Sequence, residues 1–129
     1  MENSCPCGSA KEYASCCGHY IIDHVAAPTA ELLMRSRYTA YYLANEEYLL
    51  DTWHPSTRPK SLNFNKGDAQ AKWLKLTVND IEKGTKNDSE GTVEFTARFK
   101  IKGKADQLHE ISQFSKVGVS WYYVGGVVS

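Results

Sequence analysis

Thr92-Val93-Glu94-Phe95-Thr96-Ala97-Arg98-Phe99-Lys100-Ile101 alternates polar and apolar residues without a break. A period of two specifies a β-strand, with Val93, Phe95, Ala97, Phe99 and Ile101 on one face. Thr92, Glu94, Thr96, Arg98 and Lys100 fall on the other. One apolar and one polar face is the pattern of an antiparallel sheet that covers a core on one side only. Upstream, Leu74, Leu76 and Val78 alternate with Lys75, Thr77 and Asn79, and Ile81 follows out of phase, as a bulge would place it. The polar stretch Gly84 to Gly91 turns this strand into the next. Downstream, Gly103 to Asp106 is a turn, Leu108 to Val117 a third strand, Gly118 a turn, and Trp121 to Val128 a fourth strand.

Before the sheet the period changes to that of a helix. Thr29 is placed as an N-cap, with Glu31 in the first turn where the helix dipole favours an acid. Met34, Tyr38, Tyr41, Tyr42 and Leu49 recur at helical steps, with Leu33, Arg37 and Ala44 on neighbouring faces. Asn45 divides the pattern into a long helix and a short one, Glu46 to Thr52. Pro55 and Pro59 make 53–59 an ordered loop, and Gly67 to Lys72 is expected as a short helix capped by Asp68. Helices followed by a four-stranded antiparallel meander define an α+β domain. Twisted over the long helix, such a sheet makes a cone with a cavity.

The chain has 129 residues, 42% apolar and 23% charged, which suits one domain with a small appendage. Fifteen basic and fifteen acidic side chains cancel, so there is no general attraction to nucleic acid or acidic membranes. The sequence shows no secretory leader and no long apolar run, so the expected compartment is the cytoplasm, with no membrane association.

All four cysteines lie in one short segment: Cys5, Cys7, Cys16 and Cys17. Four soft thiolates this close together suit one tetrahedral, structural Zn2+ per chain. Pro6 and Gly8 allow tight turns, and Ala10 to Ser15 can form one helical turn that returns Cys16 and Cys17 to the metal. Two disulfides are the competing reading, disfavoured by a reducing cytosol and by the strain of pairing adjacent cysteines. His19 is an alternative ligand. The expected units are a knuckle over 1–20, a linker over 21–28 and a body over 29–129.

The cysteine segment resembles the SEC-C motif, the small zinc finger found at the C-terminus of the preprotein translocase ATPase and in many other proteins. Gly8, Ser9, Lys11 and Gly18 match that pattern, while Ala10 stands where glycine is common. The resemblance implies Cys5, Cys7, Cys16 and Cys17 as the ligands. In the translocase the similar motif meets an export chaperone and the ribosome through basic side chains; here Lys11 is the one basic residue between Cys5 and Gly18. The remainder resembles an NTF2-like (cystatin-like) cone. The segments Leu33-Met34-Arg35-Ser36-Arg37-Tyr38-Thr39-Ala40-Tyr41 and Thr52-Trp53-His54-Pro55-Ser56-Thr57-Arg58 are similar to the YchJ-like family. So are Gly91-Thr92-Val93-Glu94-Phe95, His109-Glu110-x-Ser112-x-Phe114 and Trp121-Tyr122-Tyr123-Val124-x-Gly126. That family joins a SEC-C motif to an NTF2-like domain.

No catalytic triad, phosphate loop or pair of catalytic carboxylates can be defended from spacing, and no catalytic residue is assigned. The expected pocket set is Arg35, Trp53, His54, His109 and Trp121. Arg35 and Arg37, two apart on a helix, cannot both face one pocket. His109 and Glu110, adjacent on a strand, point to opposite sides and form no dyad. Arg98, Lys100 and Lys102 are expected on one strand face, with Lys104 continuing the basic surface into the turn. Three functions follow in order: docking of a protein partner by the zinc knuckle, small-molecule binding or catalysis in the cone, and nucleic-acid association through the basic face.

Overall fold

The computed structural model describes residues 4–62 and 71–128. A 3-10 turn over Tyr13–Ser15 leads into α1 (Cys17–Ile21), α2 (Ala30–Tyr42) and α3 (Glu46–Asp51). Four strands follow: β1 (Lys72–Lys83), β2 (Glu90–Ile101), β3 (Lys104–Val117) and β4 (Ser120–Val128). They pair antiparallel in the order β1-β2-β3-β4, the meander that the alternation predicts. Among the described residues no helix is long and apolar enough to cross a membrane.

Local chemistry sets the boundaries. The Thr29 hydroxyl accepts from the Leu32 amide and starts α2; the Asn45 side chain accepts from the Tyr48 amide and starts α3. The β2–β3 connection is tighter than expected. Ile101 pairs directly with Lys104, and Lys102 and Gly103 have φ of 53° and 80°, a two-residue turn with both central residues left-handed. The basic surface is therefore split. Arg98 and Lys100 are exposed on β2, Lys102 is in the turn and not on a strand face, and Lys104 opens β3.

Three further expectations change. The helix over Gly67 to Lys72 lies largely outside the described residues, and Lys72 itself is the first residue of β1. Leu74 does not share the inner face with Leu76. The register skips between Trp73 and Lys75, so Trp73 and Leu76 turn inward and Leu74 is left 46% exposed. On α2 the buried set is Leu33, Met34, Ser36, Arg37 and Tyr38 with Ala30, Thr39 and Ala40, whereas Tyr42 is 52% exposed. The helix is buried over a wider arc than a single stripe because the sheet lies on one side and the cysteine segment on the other. The second bulge expected near Ile81 is present, between Val78 and Asp80.

The loop after α3 lies along β4. The His54 amide donates to the Tyr123 carbonyl, and the Tyr123 amide donates to the Thr52 carbonyl, each at 2.8 Å. Trp121 donates from its indole nitrogen to the Pro28 carbonyl at 3.2 Å, pinning the segment before α2 to the far strand.

Candidate functional site

The four thiols converge. The Sγ atoms of Cys5, Cys7, Cys16 and Cys17 all lie within 4.8 Å of one another, and all four residues are buried. None is in a disulfide. The backbone builds the arrangement from both ends. The Cys5 amide donates to the Lys11 carbonyl and the Gly8 amide to the Cys5 carbonyl, closing the first loop at Gly8, whose φ is +82°. The Cys16 amide bonds the Tyr13 carbonyl, which sets Cys16 and Cys17 at the entrance of α1. Gly18 is needed there, since a Cβ at that position would lie 2.8 Å from the Tyr13 carbonyl oxygen. His19 turns away from the cluster, with Nδ1 3.6 Å from Asp23.

The thiols cannot ionise independently at this spacing. Hydrogen bonds from Cys17 and Cys5 hold Cys7 far below the ordinary thiol range, while hydrogen bonds with Cys5 and Cys7, together with burial, push Cys17 up. A divalent cation at the centre would remove that conflict by taking all four as thiolates, so the donor set fits a metal. Arg35 stands beside it. Its Nη1 donates to the Cys7 carbonyl at 2.9 Å and its Nε to Glu31 at 3.0 Å. Arg35 thus serves the cysteine segment and does not line the cavity between α2 and the sheet.

Between α2 and the concave face of the sheet is a cavity of about 200 Å³ with mostly apolar walls. Its polar groups include Arg37, Tyr38, Tyr41, Glu110, Ser112 and Tyr123, and the Tyr38 hydroxyl is buried with no hydrogen-bond partner among the described residues. Arg37 is 5% exposed. Its Nη1 donates to the Leu49 carbonyl at 2.8 Å and the Thr52 hydroxyl at 2.7 Å. The guanidinium also sits 4.5 Å from the Tyr123 ring centroid and 5.1 Å from that of Trp53. Burial pulls the Arg37 value down, against the attraction of Tyr41, Tyr123, Tyr48 and Glu110. Glu110 accepts at Oε2 from Ser112 at 2.6 Å and from the Tyr123 hydroxyl at 2.9 Å.

The other expected pocket residues are dispersed. Trp53 packs edge-on against Tyr123 behind the cavity wall. His54 lines a separate open groove of about 940 Å³, and its Nδ1 accepts from the Ser56 amide and lies 2.8 Å from the Ser56 hydroxyl. His109 is on the outer face, 2.6 Å from Glu94. Trp121 is a core residue, 2% exposed. The sequence made Arg35 and Arg37 alternatives for one pocket and set His109 and Glu110 on opposite faces of a strand; of these, Arg37 and Glu110 line the cavity.

Comparison with known proteins matches both parts. Residues 29–126 match the family model described as YchJ, middle NTF2-like domain, and residues 3–18 match the SEC-C motif. A UPF0225 protein of Chromobacterium violaceum is 51% identical over 127 residues, covering 98% of this chain and 93% of that protein. A UPF0225 protein of Bordetella parapertussis is 46% identical, covering 95% and 91%. The solution structure of a SEC-C motif containing protein from Rhodopseudomonas palustris superimposes with a TM-score of 0.85 at 36% identity, covering 98% of each chain. The crystal structure of a SEC-C motif containing protein from Psychrobacter arcticus gives 0.77 at 29% identity, covering 100% of this chain and 86% of that one.

Proposed function

The chain belongs to the YchJ-like UPF0225 family, in which a SEC-C motif precedes an NTF2-like domain, and from that premise we propose that it is a zinc-stapled protein that binds a small molecule in its cone. The observation that carries the reading is the unfilled cavity of about 200 Å³ whose apolar wall is interrupted by Arg37, Glu110 and Tyr123. Buried charged and hydroxyl groups cost stability unless they are used, and convergent polar groups in an apolar hollow are the usual form of a ligand site. A fragment screen by thermal shift tests it, repeated on Ala97→Leu, which adds bulk to the wall at Ala97. Hits should disappear in that variant; hits that persist unchanged place the ligand elsewhere and end the reading.

Zinc is the metal assigned to Cys5, Cys7, Cys16 and Cys17, one ion per chain in a structural role. Four thiolates suit zinc, and a shell filled by four protein ligands leaves no position for a reacting water. Elemental analysis of protein purified without added metal should return one zinc per chain; iron in its place would refute the assignment.

A second reading keeps the cysteine segment as the dock for a protein partner. It is favoured by Ile22 and Val25, 60% and 42% exposed immediately after α1. Ile22→Asp with Val25→Asp should abolish partner capture without changing the metal content. Capture that survives both changes removes this surface from consideration.

A further inference from the structure

We propose that the occupant of the cone is an uncharged, fragment-sized, largely apolar molecule that donates one hydrogen bond to Oε1 of Glu110; this rests on the cavity being a binding site, as argued above.

Among the described residues, Glu110 has one oxygen committed and one open. Ser112 and Tyr123 both donate to Oε2, and among the described residues no hydrogen bond reaches Oε1. Two donors on one oxygen fix the carboxylate without consuming its second acceptor. The position is also made room for. A Cβ at Gly126 on β4 would run into the Glu110 carboxylate, so glycine there lets the side chain lie on the wall. Oε1 is therefore the acceptor that the protein leaves for a ligand donor.

Arg37 is spent. Both of its Nη1 hydrogens go to Leu49 and Thr52, and its faces are covered by Trp53 and Tyr123. Tyr123 joins the two charges, with its ring against Arg37 and its hydroxyl on Glu110. One cation and one anion on the same small wall already balance. An anionic ligand would face Glu110 and a cationic one Arg37, so either would lose its hydration beside a like charge. A neutral molecule avoids both costs. Size limits it further: about 200 Å³ is below the roughly 300–1,000 Å³ of pockets for drug-sized ligands. Trp73, Phe95 and Phe114 supply flat apolar walls suited to a ring.

The test uses matched probes on the full metal-loaded chain, with dissociation constants read by calorimetry or by chemical-shift titration. Indole carries one N–H donor, 1-methylindole carries none, tryptamine adds a positive charge and indole-3-acetate a negative one. Indole should bind tighter than 1-methylindole by roughly tenfold, the worth of one hydrogen bond to a charged acceptor. Both charged probes should bind more weakly than indole. In Glu110→Gln, with unchanged circular dichroism, the preference for indole should shrink to about twofold, because a neutral amide oxygen is the weaker acceptor. Tyr123→Phe leaves Oε1 in place and should retain the preference. Equal binding of indole and 1-methylindole to the native chain, with both abolished by Ala97→Leu, overturns the donor rule and leaves the cavity as a site. Tighter binding of either charged probe overturns the neutrality of the ligand. Failure of all four probes to bind, or binding indifferent to Ala97→Leu, overturns the cavity reading itself and this inference with it.

Discussion

Arg37 spans from α2 to the Leu49 carbonyl and the Thr52 hydroxyl, whereas Arg35 reaches the Cys7 carbonyl and Glu31 from the partly exposed side of the same helix. Arg37→Met should cost about 3 kcal/mol, because it removes the buried hydrogen bonds to the Leu49 carbonyl and the Thr52 hydroxyl and unstacks Trp53 and Tyr123. Arg37→Lys should recover little of that, since an ammonium has no planar fork to hold both acceptors and stack between rings. Arg35→Met should cost about 1 kcal/mol, as solvent can replace its partners. Urea midpoints for the three variants check the order; equal losses at both positions would refute it. Two tyrosines act at the same scale. Burial pushes Tyr38 and Tyr48 up to about 12. The folded chain thus keeps protons that the unfolded chain gives up near the ordinary phenol value of about 10. Their stabilisation is complete below pH 10 and is lost as pH rises from there to 12, by up to about 1.4 kcal/mol per unit for each. Phenolate absorbance of the native protein at pH 11 should show these two still protonated, with a lower urea midpoint than at pH 9. The sequence was uneven at this scale. Four cysteines in one short loop have few uses besides a metal, so they were legible. Arg37 was not, because helical periodicity marks apolar positions and says nothing about a polar residue buried beside them.

The elements themselves were largely legible, since the sheet covers its core on one face and the alternation in β2 records that directly. What the alternation could not show is where the strands lose register. Leu74 looks like an inner residue until the pairing of Trp73 with Phe99 and of Lys75 with Arg98 displaces it. The junction of α2 with the sheet was equally hidden. Gly84, with φ of +78°, accepts at its carbonyl from the Ala30 amide, and its own amide donates to the Glu90 carbonyl. A Cβ on Gly91 would collide with the Gly84 backbone, and one on Gly84 would lie 2.8 Å from the Ala30 Cβ. Two glycines and an alanine therefore let the start of α2, the end of β1 and the start of β2 meet closely. Gly91→Ala should cost about 2–4 kcal/mol, since backbone must move to admit one methyl group. Gly103→Ala, at a positive φ that Gly91 does not share and with no atom within 4 Å, should cost only about 1 kcal/mol, for backbone conformation alone. Thermal melts of the pair separate a packing requirement from a conformational one, and equal losses would mean that the close approach at Gly91 relaxes freely.

At the scale of the whole molecule the open question is whether the cysteine segment is a separate bead or part of the cone. The sequence suggested an appendage, because no apolar periodicity links residues 1–20 to the helix and sheet that follow. In space the link is extensive. Cys5, Cys7, Cys16, Cys17 and Ile21 belong to one buried cluster with Leu33 and Tyr38 of α2 and Leu76 of β1. The Cys5 Sγ is 3.8 Å from the Thr39 hydroxyl, Arg35 donates to the Cys7 carbonyl, and a Cβ on Gly8 would lie 3.6 Å from the Leu76 carbonyl oxygen. The face of α2 turned away from the cavity is thus covered by residues gathered around the four thiols. Loss of the metal would leave thiolates of like charge in that interface and reopen the buried face of α2 to water, so stability of the cone should fall by an amount on the order of several kcal/mol. Trp53, Trp73 and Trp121 all lie outside the cysteine segment, which makes their fluorescence a reporter of the cone alone. Urea unfolding followed by that fluorescence, with and without a chelator under reducing conditions, should show the midpoint moving to lower denaturant when the metal is removed. A midpoint that stays fixed while far-ultraviolet dichroism records the loss of α1 would mean that the cone stands without its staple. In that case Arg35 and Thr39 would hold the cysteine segment in place without drawing support from it.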